Sequence, residues 1–270
     1  MSGPTFICPG AQKAGTTWLH QQLKTHPDFW MPPQKEVDYL APFPNSRAKY
    51  AERLEKVRAK LQGKPKLQWR LDWWEYFTSD WALERYPGLF DLAGDKFSGD
   101  VSPSYSTMSA EEIEKAAEIV PWAKIVILLR DPVERAWSHA RHTVTRGPKN
   151  DLPEPERIEA MVKFATSERC LANGDYVTII RNWQAAFGED QVHVGFYDDL
   201  VNKPAEMMNG ILDFLGAPHF PKEQEAELNN VANHGESYPC PPELRKSLEL
   251  HYAPMLEELG ELIGGKRQAL

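Results

Sequence analysis

Thr5–Leu19 reads TFICPGAQKAGTTWL, and the fold is decided there. Thr5–Pro9 is a short apolar run ending in Pro-Gly, the pattern of a buried strand entering a tight loop. Thr16 to Lys24 (TTWLHQQLK) then reads as a helix opening directly after that loop. Between them, Gly10 and Gly15 let the backbone turn tightly and bring its N–H groups to an anion. The helix start adds its dipole and unpaired donors, and Thr16 and Thr17 add hydroxyls. A nucleotide-triphosphate loop is spelled G-x4-G-K-[ST], with lysine right after the second glycine. Here that place is Thr16, and Lys13 lies two residues before Gly15. The loop suits a phosphate-like group but departs from the spelling for ATP or GTP. A plain glycine turn with an exposed lysine is the other reading of the same residues.

Outward from this loop, Pro27, Pro32 and Pro33 end the helix, and a loop carries Gln34-Lys35-Glu36-Val37. Arg47–Gln62 has Tyr50, Leu54, Val57 and Leu61 at helical spacing. The Trp-rich stretch Leu67–Trp81 is expected as helix and loop, Phe97–Val101 as a short strand and Ala110–Val120 as a helix. Lys124–Leu129 (KIVILL) is a continuous apolar run, as in a parallel strand covered on both faces. After Arg130-Asp131-Pro132, Val133–Thr145 reads as a helix with proline near its first turn. Gly147–Pro155 is expected as a mobile loop. Helices are predicted over Glu156–Leu171, Tyr176–Phe187, Pro204–Leu215 and Pro242–Ile263, and a strand over Gln191–Phe196. Strands alternating with helices predict an α/β fold: a P-loop-like central parallel β-sheet flanked by helices, as a single domain over residues 1–270.

Arg130 closes the KIVILL strand, and Ser138 follows eight positions on, within the next helix. In parallel α/β sheets the carboxyl ends of strands face the ligand crevice. An arginine there can grip a phosphate through two N–H groups, and a helical serine can add a hydroxyl. Arg135 either contributes to such a site or pairs with Asp131 or Glu134. An Arg130–Asp131 pair capping the strand–helix junction is the competing reading.

The bulk numbers set limits. Lys+Arg number 31 against 39 Asp+Glu, a net charge of −8, which argues against a surface built for nucleic acid while leaving room for a local positive pocket. Cys8, Cys170 and Cys240 lie at wide spacing that suggests neither disulfides nor a metal. MSGPTFICPG has no basic region and no long apolar stretch, so no signal peptide is expected. No window approaches a membrane span. The cytoplasm is the expected compartment, with a trimmed anchor or signal as the other case.

Taken together, GAQKAGTTWL and LLRDPVERAWSH resemble the 5′-phosphosulfate loop and the 3′-phosphate motif of the sulfotransferase family. HPDFWMPPQKEVDYL, GDVSPSY and QVHVGFYDDLVNKPAEMMNGILDFLG are similar to its carbohydrate (heparan-sulfate-type) and bacterial branch, and the likeness runs in order from Phe6 to Leu215. The resemblance implies transfer of a sulfuryl group from 3′-phosphoadenosine 5′-phosphosulfate (PAPS), leaving 3′,5′-adenosine bisphosphate (PAP), to a hydroxyl or amine, without a metal. It implies that Lys13 contacts the leaving oxygen and the sulfuryl group. Gly15, Thr16 and Thr17 would cradle the 5′-phosphate, with Gln12, Ala14 and Trp18 in the same donor-binding loop. Arg130 and Ser138 would hold the 3′-phosphate. Glu36 matches the branch's general base, a surface carboxylate paired with Lys35 or Lys13 being the other reading of it, and Asp100 and Ser102 match positions near the acceptor. Trp74 belongs to a Trp69–Trp81 cluster that reads as core or lid, or else as an acceptor-stacking platform. The chain departs from the branch at Val101, where a lysine is usual, and at Asn233-His234-Gly235-Glu236, where the late basic loop carries an acid.

No histidine matches the base of the aryl and steroid enzymes. His139 and His142 are expected to be packed or solvated, and His20 and His26 to be structural. The partner is expected to be a small-molecule or saccharide acceptor, with no nucleic acid and no membrane; oligomeric state is not legible. The competing enzyme class is a P-loop kinase or NTPase, against which stand the displaced lysine and an arginine where the Walker B acid belongs. A non-catalytic nucleotide binder is the third reading.

Overall fold

KIVILL runs through the core because the five apolar side chains after its lysine gain by leaving water. In the computed structural model, which describes residues 2–41, 46–225, 228 and 238–264, it is a strand, and Ile125–Leu129 are fully buried. The first strand, β1 (Phe6–Gly10), lies beside it. With β2 (Phe29–Trp30), β3 (Phe97–Val101), β4 (Lys124–Leu129) and β5 (Val192–Phe196), these build one five-stranded sheet in the order β2-β3-β1-β4-β5. Every pairing is parallel, so all five carboxyl ends point the same way. From β1 the chain builds β2 and β3 on one side and β4 and β5 on the other. This reversal opens a crevice at the end of β1.

The helices, in chain order, are α1 (Thr16–Thr25), α2 (Ser46–Leu61), α3 (Gln68–Ser79), α4 (Ala110–Ile119), α5 (Pro132–Thr145), α6 (Glu154–Ala165), α7 (Glu168–Ala172), α8 (Tyr176–Phe187), α9 (Tyr197–Asn202), α10 (Pro204–Leu215), α11 (Lys222–Glu225) and α12 (Pro242–Leu262). Local chemistry explains several boundaries. Ser109 and Glu112 cap α4 reciprocally, Asp131 accepts the N–H of Glu134 at the start of α5, and Asp175 accepts that of Thr178 at α8. The predicted Glu156–Leu171 helix is in fact two. Ser167 stops the first and caps the second by accepting from the N–H of Cys170. Two residues of β2 and the single turns of α9 and α11 are too short to carry a periodic signal.

The sheet's main core draws on all five strands, α1, α3, α4, α8 and α10. A second, smaller core joins Val133, Trp137 and Val144 of α5 to Met161 of α6, Cys170 of α7 and Leu248 and Tyr252 of α12. The second core anchors α5, and α5 is one wall of the crevice. No helix among the described residues is long and apolar enough to cross a membrane.

Candidate functional site

The Gly10–Gly15 loop leaves β1 and its backbone comes close to β4: Ala11 N donates to Leu128 O at 2.7 Å. Lys13 takes a left-handed conformation (φ 72°), and Gly15 follows at φ 97°. A Cβ at Gly15 would stand 2.4 Å from Leu200 Cδ1, so this glycine is required twice, by its backbone and by the close approach of α9. The start of α1 has no side-chain cap and no acid in its first turn. Its first N–H groups, on Thr16, Thr17 and Trp18, therefore face the loop with the positive end of the helix dipole behind them.

Arg130 sits at the end of β4, and its Nη1 donates to Lys13 O at 3.2 Å. Its guanidinium lies 4.4 Å from the centroid of the Tyr197 ring, and its carbonyl accepts from Tyr176 Oη at 2.6 Å. The two motifs from opposite ends of the first half of the chain are thus in direct contact. Burial and the charges of Arg146, Arg130 and Arg141 push the Lys13 ammonium down to about 8, with Glu36 acting the other way. His142 is pushed down to about 4 by burial and then by Lys13 and Arg146. A lysine depressed by three arginines marks a concentration of positive charge in a chain of net charge −8. That is the electrostatic setting for an anion with more than one charged group.

Glu36 is half-exposed and paired with Lys35 at 2.6 Å. Its backbone is left-handed (φ 60°), as is that of Asp38 (φ 53°). The Asp38 carboxylate is buried, accepting from Ser104 Oγ at 2.6 Å and Tyr50 Oη at 3.1 Å. Its pKa is raised, first by burial.

The other expected residues divide. Gln12 and Thr17 are half-buried at the loop, and Thr16 is 4% exposed. Ala14 is fully buried, with its N–H donated to Ala11 O. Trp18 has its ring buried and its Nε1 donating to Leu228 O, so its backbone N–H is the group that faces the loop. Ser138 is half-buried on α5, one turn before His142. Arg135 neither joins the site nor pairs with Asp131 or Glu134. It is wholly buried and donates to Cys170 O at 2.7 Å. His20, His26 and His139 are buried, and His26 bridges Pro218 O and the N–H of Asp28.

Three residues expected near the acceptor are buried in this structure. Trp74 is 3% exposed and packs edge-on against Trp73 and Phe77, so it belongs to the core. Asp100 and Ser102 are fully buried, and Ser102 Oγ donates to Asp100 Oδ1 at 2.6 Å. Asn233-His234-Gly235-Glu236 lies outside the described residues.

Sequence reasoning missed Arg141, Arg146, Asp38, Tyr50 and Tyr197. Arg141 lies three residues after Ser138 and Arg146 eight after it, so helical spacing could have found both. Asp38 gave no signal, because a loop reading of Gln34–Val37 does not mark the left-handed backbone of Glu36 and Asp38.

Comparison with known proteins gives the same direction. A family model described as "Sulfotransferase family" matches residues 4–222. A bifunctional heparan sulfate N-deacetylase/N-sulfotransferase of Caenorhabditis elegans is 25% identical over 229 residues, covering 82% of this chain and 23% of that protein. A human enzyme of the same description is 27% identical over 236 residues, covering 80% and 23%. The chain thus spans less than a quarter of these relatives' length. Among solved structures, a sulfotransferase from Alicyclobacillus acidocaldarius superposes with a TM-score of 0.67 at 24% identity, covering 98% of this chain and 97% of that one. A sulfotransferase from Mycobacterium avium gives 0.52 at 16%, covering 94% and 77%. These two likenesses speak for the fold.

Proposed function

We propose, on the premise that this chain belongs to the sulfotransferase family, that it transfers a sulfuryl group from PAPS to the hydroxyl or amine of a carbohydrate or small alcohol, and that residues 1–270 form one sulfotransferase domain. The observation that carries the proposal is the contact of Arg130 with the Lys13 backbone at 3.2 Å, inside a cluster of cations at adjacent strand ends. A donor with phosphates at both its 3′ and 5′ ends needs two anion subsites side by side. Gln12–Trp18 offers one, through Lys13, the hydroxyls of Thr16 and Thr17 and the uncapped helix start. Arg130 and Ser138 offer the other.

The donor supplies an activated sulfur–oxygen bond. In the transfer, the acceptor oxygen or nitrogen forms a bond to sulfur as the bond from sulfur to the 5′-phosphate oxygen breaks. The electron pair leaves on that oxygen. Lys13 and the N–H groups at the start of α1 stabilise this growing charge, a contribution of about 3–4 kcal/mol for one well-placed donor. The Glu36 carboxylate takes the proton from the acceptor. Its half-exposed position, beside Lys35 and within range of the Lys13 charge, suits that role.

Calorimetry with PAP and with Mg-ATP tests the donor: PAP binding is expected, and tight Mg-ATP binding without PAP binding would overturn the reading in favour of a P-loop kinase or NTPase. A screen of acceptors with labelled PAPS tests the reaction. Lys13→Ala and Glu36→Gln are each expected to lower the transfer rate roughly tenfold or more. Unchanged turnover in Glu36→Gln would remove that residue as base.

A further inference from the structure

Beneath the Glu36 loop lies a carboxylate for which the transfer mechanism gives no role. Asp100 is fully buried at the end of β3. It accepts from Ser102 Oγ at 2.6 Å, from Tyr105 Oη at 2.9 Å and from Tyr86 Oη at 3.0 Å. Two of these hydroxyls face the Glu36 loop with their other side. Ser102 Oγ accepts the N–H of Asp38 at 3.1 Å, and Tyr105 Oη accepts the N–H of Leu40 at 3.2 Å.

The polarity of this relay is fixed from below. An ionised carboxylate can only accept, so both hydroxyl protons must point at Asp100. Their lone pairs are then turned toward the loop, where they meet two backbone donors. The loop needs such a hold. Glu36 and Asp38 are both left-handed without being glycine, a conformation that costs on the order of 1–3 kcal/mol per residue and persists only where the surroundings enforce it. Tyr50 closes the clamp from the other side, with Oη 3.1 Å from both Glu36 O and Asp38 Oδ2. Burial, against the hydrogen bonds from Ser102, Tyr105 and Tyr86, pushes Asp100 up to about 6, an unfavourable arrangement for a group that served packing alone.

We infer that Asp100 is a positioning residue for sulfuryl transfer: through Ser102 and Tyr105 it clamps the strained turn at residues 36–40 and so places the Glu36 carboxylate against the acceptor. The inference rests on the transfer reaction proposed above. Asp100 acts through the loop and touches no reactant.

The test uses the full chain with three measurements: PAP affinity by calorimetry, folding by circular dichroism, and sulfuryl transfer from PAPS to water or to the acceptor found in the screen. Ser102→Ala removes one relay hydroxyl while leaving Asp100 bonded to both tyrosines, and Tyr105→Phe removes the other. Each is expected to lower the transfer rate roughly tenfold, with PAP affinity held to within about twofold. In a Glu36→Gln background the same Ser102→Ala change is expected to alter the rate by less than about twofold, because the two residues act as one unit. Equal losses from Ser102→Ala in both backgrounds, or no loss in folded Ser102→Ala and Tyr105→Phe, would overturn the positioning role alone. Failure of the unaltered chain to bind PAP or to transfer sulfuryl at all would overturn the transfer reading and this inference with it.

Discussion

Lys13 is the residue whose chemistry is most exposed to test. Its ammonium is lowered to about 8 by burial and by three neighbouring arginines. Below that pH it is charged and ready for an anion. Above it the free chain is neutral there, and an arriving phosphate must restore the charge by taking up a proton. PAP affinity is therefore expected to fall as pH rises from about 7 to about 9.5, while Lys13→Arg, which stays charged throughout, flattens the dependence. Calorimetry across that range checks it, and a pH-independent affinity in the unaltered chain would contradict the role given to the lysine. Lys13 and Arg130 could be singled out in the sequence because each follows a strand at a loop or helix start, whereas Glu36 was singled out only through the resemblance to the family. The left-handed backbone of Lys13, Glu36 and Asp38 was not legible, because no side chain of those types announces such a conformation.

At the scale of elements, two tight approaches carry the site. Gly15 lets α9 close over the loop, so Gly15→Ala is expected to cost about 1–3 kcal/mol through its left-handed backbone, and more through the clash with Leu200. Denaturation would show the loss, and calorimetry would show weakened PAP binding with it. Trp74, by contrast, belongs to the packing of α3: Trp74→Ala is expected to destabilise the fold by about 3–5 kcal/mol and leave PAP affinity unchanged. A variant of full stability with a raised acceptor KM would return Trp74 to the acceptor site. The periodic signal of α1, α4, α5, α8 and α10 was sufficient to find them, since each buries one face. The Trp-rich α3 is expected as core or lid, with a sugar platform as the other reading, and the burial of Trp73, Trp74 and Phe77 places them in the core.

At the scale of the molecule, the parallel sheet does one thing that no single motif could do. By placing β1 and β4 side by side it joins a loop near residue 13 to an arginine 117 positions later. Sequence order alone predicted the two anion motifs and the sheet class. Their contact follows from the strand order β2-β3-β1-β4-β5, which depends on long-range pairing. The same limit hid the setting of Asp100: the resemblance implied a place near the acceptor, and its enclosure by Tyr86, Tyr105 and Ser102 emerges only from the folded chain. The central claim is that the two strand ends grip the 5′ and 3′ phosphates of one ligand. The most direct measurement is the ratio of the affinities for PAP and for adenosine 5′-phosphate, in the unaltered chain and in Arg130→Ala. The account predicts that the unaltered chain prefers PAP by roughly 100-fold and that Arg130→Ala abolishes most of the preference, since only the 3′-phosphate distinguishes the ligands. A preference that survives in Arg130→Ala, or none in the unaltered chain, would contradict it.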